Sequence, residues 1–128
     1  MSEPARGEPQ VTPFEYMGGD AAVRALVARF YDLMESDPAY AELRAMHAPD
    51  LKPMRERLFQ FFSGWLGGPR LYSGCVMSAH APFAIGARER EQWLACMARA
   101  MVDVDVPLAV RALLTPAFEQ MSQGMQSR

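Results

Sequence analysis

Apolar residues recur at helical spacing along almost the whole chain, and no segment shows the sustained alternation of a half-buried strand. Val23, Leu26, Val27, Phe30, Tyr31 and Met34 fall at i, i+3, i+4, i+7, i+8 and i+11, one continuous stripe. A second stripe carries Met54, Leu58, Phe61, Phe62 and Trp65. Another uses Trp93, Cys96, Met97, Ala100 and Met101, and the last uses Val110, Leu113, Leu114, Ala117, Phe118, Met121 and Met125. Helices that each present one apolar face must bury it against one another. The fold class is all-α.

Glycine and proline punctuate these stripes. Gly18-Gly19-Asp20 permits a sharp bend and offers Asp20 as a helix N-cap. Asp37-Pro38 ends the first long helix and opens a short one running to about Met46, with proline in its tolerated first turn. His47-Ala48-Pro49-Asp50 reads as a loop, and Gly67-Gly68-Pro69 stops the next helix. Periodicity is lost from Arg70 to Gly86. Pro107 suits the start of the last helix, whereas Pro116 lies inside it and is expected to kink or fray it. Residues 1–12, rich in Pro, Glu and Gly, read as a flexible tail before a single domain over 13–128. There is no internal repeat.

Composition narrows the function. A chain of 128 residues is one ordinary domain, long enough to bury a core without disulfide staples. Thirteen basic against fifteen acidic residues give a net charge of −2, which argues against a nucleic-acid binder. No apolar run reaches the roughly 20 residues that cross a membrane. The first residues lack the basic start and apolar middle of a signal peptide, and two cysteines, Cys75 and Cys96, suit a reducing cytoplasm. Imidazole chemistry is confined to His47 and His80, the two histidines of the chain.

No phosphate-binding loop, zinc motif or nucleophile triad stands out. On local context, His80 reads as an exposed or hydrogen-bonded residue rather than as a ligand. His47, at a loop start, reads as a cap or a surface polar group. Trp65 and Trp93 sit on apolar stripes and are simplest as core. Tyr31 is a mild anomaly, because a buried tyrosine needs a partner for its hydroxyl.

In order and spacing, however, these features resemble one family. Gly18-Gly19, Arg29-Phe30-Tyr31-Asp32-Leu33-Met34, Leu58 through Pro69 with its Gly-Trp-Leu-Gly-Gly-Pro ending, His80-Ala81-Pro82-Phe83-Ala84-Ile85 and Glu89-Arg90-Glu91-Gln92-Trp93-Leu94 together resemble the truncated haemoglobins, group II in particular. The resemblance runs from about Phe14 to Met125. It implies a truncated globin fold, a two-over-two sandwich of helices around haem b.

The resemblance assigns His80 as the proximal iron ligand, a neutral imidazole that leaves the sixth position open. Its second ring nitrogen is expected to donate to a backbone carbonyl. Tyr31, Trp93 and His47 match the distal side, where a dioxygen ligand gathers negative charge that aimed donors stabilise. Slow ligand release is the expectation. Leu58 and Phe61 match the apolar wall over the porphyrin, Met54 the gate to the ligand, and Arg57 a propionate partner. Phe83 and Ile85 match the proximal face, and Tyr72 joins the haem-contacting set.

One departure stands out. Family members usually have a longer segment before the proximal histidine, with a Gly-His-Pro and a basic residue directly before it. Here only Ser73 to Ala79 separate Tyr72 from His80, and Ala79 takes the basic slot. Weaker haem retention is the expectation.

The function implied is reversible binding of dioxygen, carbon monoxide or nitric oxide, for transport or scavenging, by a monomer or homodimer. An alternative class is a redox enzyme, a nitric oxide dioxygenase or a peroxidase, drawing electrons from a separate reductase because 128 residues leave no room for one. A sensor or a haem-less interaction domain follows only if the shortened loop disables His80.

Overall fold

A computed structural model of the chain describes residues 11–74 and 84–127, and the elements named here are those among these residues. Every regular element is helical: α1 (Pro13–Met17), α2 (Gly19–Ser36), a 3₁₀ turn (Pro38–Tyr40), α3 (Ala41–Ala45), α4 (Lys52–Trp65), α5 (Ala87–Asp103) and α6 (Leu108–Met125). Helix α2 lies at the centre, against α4 on one side and α5 on the other. Helix α6 packs on α5, the short α3 leans on α5, and α1 bridges α2 and α6.

The core follows the stripes. All six residues of the first stripe are buried, and Cys96, Met97, Ala100 and Met101 of α5 meet them. The approach of α2 and α5 is close enough for the Cys96 thiol to donate to the Phe30 carbonyl at 3.3 Å. Burial pushes that thiol up to about 12, so cysteine serves here as a small apolar group with a weak donor.

Several boundaries differ from expectation. Asp20 is not the cap of α2. Helix α2 starts one residue earlier, behind Gly18 with φ 121°, and Asp20 sits in the first turn paired to Arg24 at 3.1 Å. Thr12, the last residue of the expected tail, is the N-cap of α1 in a reciprocal capping box with Glu15. Pro116 lies inside α6, whose assigned helix continues through it to Met125. Proline there removes one backbone bond, but Ala112, whose carbonyl loses its donor, faces solvent.

Leu113, expected on the inner face of α6, is 56% exposed, because it lies well round the helix from the buried Val110, Leu114 and Phe118. The α4 stripe is also displaced. Its fully buried face is Phe59, Phe62 and Ser63, continued by Leu66, whereas Met54, Leu58, Phe61 and Trp65 are only partly covered.

The end of α4 is built around glycine. Gly67 adopts φ 95°, and a side chain there would also meet Thr12 at 2.8 Å. At Gly68 an added Cβ would lie 2.6 Å from the Phe14 ring. The Phe14 amide donates to the Leu66 carbonyl at 2.9 Å, so α1 is docked directly over the α4 terminus.

Candidate functional site

Helix α4 presents two neighbouring apolar faces with different degrees of cover. One is sealed within the core. The other, Met54, Leu58, Phe61 and Trp65, is packed against the core but left partly open. Four large apolar side chains at helical spacing leave considerable surface for an apolar partner to remove from water.

Tyr31 and Trp93 bring the polar atoms to this region. Tyr31 is 5% exposed, and its ring meets Phe30 edge-on at 5.1 Å. Phe30 in turn lies 5.4 Å from Trp93. Burial holds the Tyr31 phenol well above its ordinary pKa, with the Arg55 charge opposing the rise and Cys96 adding to it. Arg55, half-buried, lies over the Tyr31 ring at 5.8 Å and is anchored to the Ala28 carbonyl and to Asp32.

Among the described residues, no group hydrogen-bonds the Tyr31 hydroxyl or the Trp93 indole N–H. Among the described residues no fully enclosed side-chain nitrogen or oxygen lacks a partner, so neither donor is sealed away completely. Two donors that make no hydrogen bond among the described residues, on a partly covered apolar face, fit an apolar group that carries a small polar ligand. A haem has these properties.

His47 reaches the same neighbourhood, its ring edge-on to Tyr31 at 6.0 Å. Its Nδ1 lies 2.9 Å from the Leu43 carbonyl, so it caps the C-terminal end of α3 rather than the start of a helix. A carbonyl only accepts, so Nδ1 carries the proton in the neutral ring and Nε2 has none to give.

The remaining residues are distributed unevenly. Tyr72, half-buried, meets Phe61 edge-on at 5.8 Å. Ile85 is half-buried, with its backbone tied to Ser127. Arg57 is exposed and makes no ion pair among the described residues. His80 and Phe83 lie outside the described residues. Sequence reading missed Arg55, whose tether to α2 depends on a tertiary crossing, and missed Phe118 as the ring between Trp93 and Trp65, at 5.1 and 5.2 Å.

Residues 12–127 match the model of the bacterial-like globin family. The chain belongs to the group II truncated haemoglobins. It is 30% identical over 118 residues to the group 2 truncated haemoglobin of Bacillus subtilis, covering 88% of this chain and 86% of that protein. The group II 2-on-2 haemoglobin of Agrobacterium tumefaciens superposes with a TM-score of 0.89 at 35% identity, covering 94% of this chain and 98% of the other. The haemoglobin of the thermophile Chloroflexus aurantiacus gives 0.83 at 37%, covering 94% and 100%. The oxygen-avid truncated haemoglobin of Bacillus subtilis gives 0.82 at 29%, covering 91% and 99%. Family membership makes this chain a haem globin that binds diatomic ligands. Among the described residues no helix is long and apolar enough to cross a membrane.

Proposed function

We propose that the chain binds dioxygen reversibly at a haem b held by His80, with Tyr31 and Trp93 as the donors that retain the ligand. The observation that carries this reading is the pair of unpaired donors, Tyr31 hydroxyl and Trp93 indole, beside the partly open face of α4. When bound, the haem supplies an iron with a vacant position for a diatomic ligand.

The chain's own residues do the rest. Met54, Leu58, Phe61 and Trp65 would exclude water from one side, and the family resemblance assigns Phe83 and Ile85 to the other. Tyr31 enters as a neutral phenol, since burial opposes ionisation, so it always has a proton to donate. Indole N–H is a donor under all conditions. Donors aimed at a charged acceptor contribute more than neutral bonds, which favours retention over release. His47 adds a third donor only as imidazolium, because its neutral-state proton is committed to Leu43. Arg57, exposed and uncommitted among the described residues, suits a propionate at the pocket edge.

Absorption spectra of purified protein, ferric, ferrous and with carbon monoxide, test the reading. A Soret band that shifts on adding carbon monoxide is expected, and its absence after haem addition overturns the proposal. His80→Ala should abolish the five-coordinate ferrous spectrum. The same donors suit activation of a ligand, so consumption of nitric oxide with an added reductase distinguishes a dioxygenase from a carrier. Residence in the cytoplasm accompanies either role.

A further inference from the structure

Two arginines stand without a partner among the described residues, and they share one flank of α4. Every other arginine described bonds a carboxylate or a carbonyl of another residue. Arg57 and Arg70 are exposed and make no such bond among the described residues. Glu56, the acid next to Arg57, is turned instead to Arg24 of α2 at 3.3 Å.

Arg70 is fixed in place by the end of the helix. The buried Ser63 hydroxyl donates to the Pro69 carbonyl at 2.7 Å, and the Gly68 amide donates to the Ser63 carbonyl at 2.7 Å. The coil therefore folds back onto α4, and Arg70 lies on Gly64. A Cβ at residue 64 would stand 3.3 Å from the Arg70 Cα and 3.5 Å from its Cγ. Glycine is a poor helix former, and this close crossing gives a reason for one inside α4. Two residues further on, Tyr72 meets Phe61 edge-on at 5.8 Å, so the coil continues along the partly open face.

Arg57, Phe61 and Gly64 fall at i, i+4 and i+7, one row along the helix. Arg57 and the seat of Arg70 thus bracket Phe61, with roughly 10 Å of helix between them.

We propose that Arg70 is a second cation for the haem carboxylates, standing in for the basic residue that Ala79 replaces directly before His80, an assignment that rests on the haem reading given above. Haem carries its two propionates on one edge, so a ring lying on Phe61 presents two anions to the same rim. Arg57 answers one of them and leaves the other open. A guanidinium meets a carboxylate with two parallel N–H donors and keeps its charge at every pH the fold survives. The substitution moves the cation from the shortened segment before His80 to a coil pinned on α4.

Transfer of haem from the full ferric protein to a haem-scavenging globin tests this. An ion pair at an exposed rim is modest, so Arg70→Gln should speed haem loss roughly twofold to fivefold. Arg70→Lys, which keeps the charge, should recover most of the difference. Loading with haem dimethyl ester, whose esterified carboxyls carry no charge, separates charge from packing: parent and Arg70→Gln should then lose the cofactor at the same rate. A loss rate unchanged in Arg70→Gln overturns the assignment. An equal acceleration with the ester also overturns it, because Arg70 then acts through the fold and not on a carboxylate. Both results leave the haem reading intact, whereas a chain that takes up no haem overturns that reading and this one together.

Discussion

Ser127 and Ile85 hold each other by two hydrogen bonds: the Ser127 amide donates to the Ile85 carbonyl at 2.8 Å, and the Ile85 amide donates to the Ser127 hydroxyl at 3.1 Å. The end of the chain is thereby fastened to the residue that follows the His80-to-Phe83 stretch by only two positions. Ile85 itself is a residue that the family resemblance assigns to the proximal face of the haem.

Removing residues 126–128 should therefore speed haem loss several-fold, measured by transfer to a haem-scavenging globin. Helix α6 ends at Met125 and is retained in this variant. A transfer rate equal to that of the full chain would show that the clamp has no part in holding the cofactor.

Ligand release reports on the two unpaired donors. A hydrogen bond to a charged acceptor contributes about 1.5–3 kcal/mol, so Tyr31→Phe and Trp93→Phe should each speed dioxygen release roughly tenfold to a hundredfold. Stopped-flow displacement of dioxygen by carbon monoxide measures this. A rate unchanged in both variants would remove them from the ligand's surroundings.

Stability at the α1–α4 junction depends on the absence of a side chain at residue 68. Gly68→Ala would place a methyl carbon 2.6 Å from the Phe14 ring, and overpacking of this kind costs about 1–3 kcal/mol. Denaturant unfolding should show the loss, and the double variant Gly68→Ala with Phe14→Leu should recover part of it.

Cys96 gives a pH signature. Its thiol is held from an ordinary 9.0 up to about 12, first by burial, with the Arg99 charge opposing. In a Cys75→Ser background, native protein at pH 8 should resist thiol alkylation that proceeds readily in denaturant. The folded state keeps its proton where the unfolded thiol has lost it, so this residue's contribution to stability is present below pH 9 and declines as pH rises towards 12. Cys96→Ala should flatten that part of the stability profile.

The stripe on α2 was readable directly, because a helix packed on both sides buries every apolar position at the period. The stripes of α4 and α6 were readable only in part. Phe59 and Phe62 differ from Phe61 by less than a helical turn, and which of them is sealed depends on where α2 crosses, which no local pattern records. Leu113 was drawn inward for the same reason. Proline at 116 carried a strong local signal, yet the helix continues past it, because the carbonyl left without a donor, that of Ala112, is on an exposed residue. For the site, Tyr31 stood out as a polar atom on an apolar face, whereas Trp93 read as core and gained a place only through the family resemblance. The Nδ1 commitment of His47 and the tether of Arg55 arise from contacts that exist only after folding.

Helix α4 thus serves as core on one face and, in the proposed reading, as pocket wall on the next, within a single continuous helix. The two roles are mechanically geared. A volume change at Phe59 or Phe62 that is relieved by a shift of the helix would carry Leu58 and Phe61 with it. Ligand affinity in this protein can accordingly drift through interior substitutions that never touch the ligand, which gives evolution a fine adjustment that leaves the donors in place.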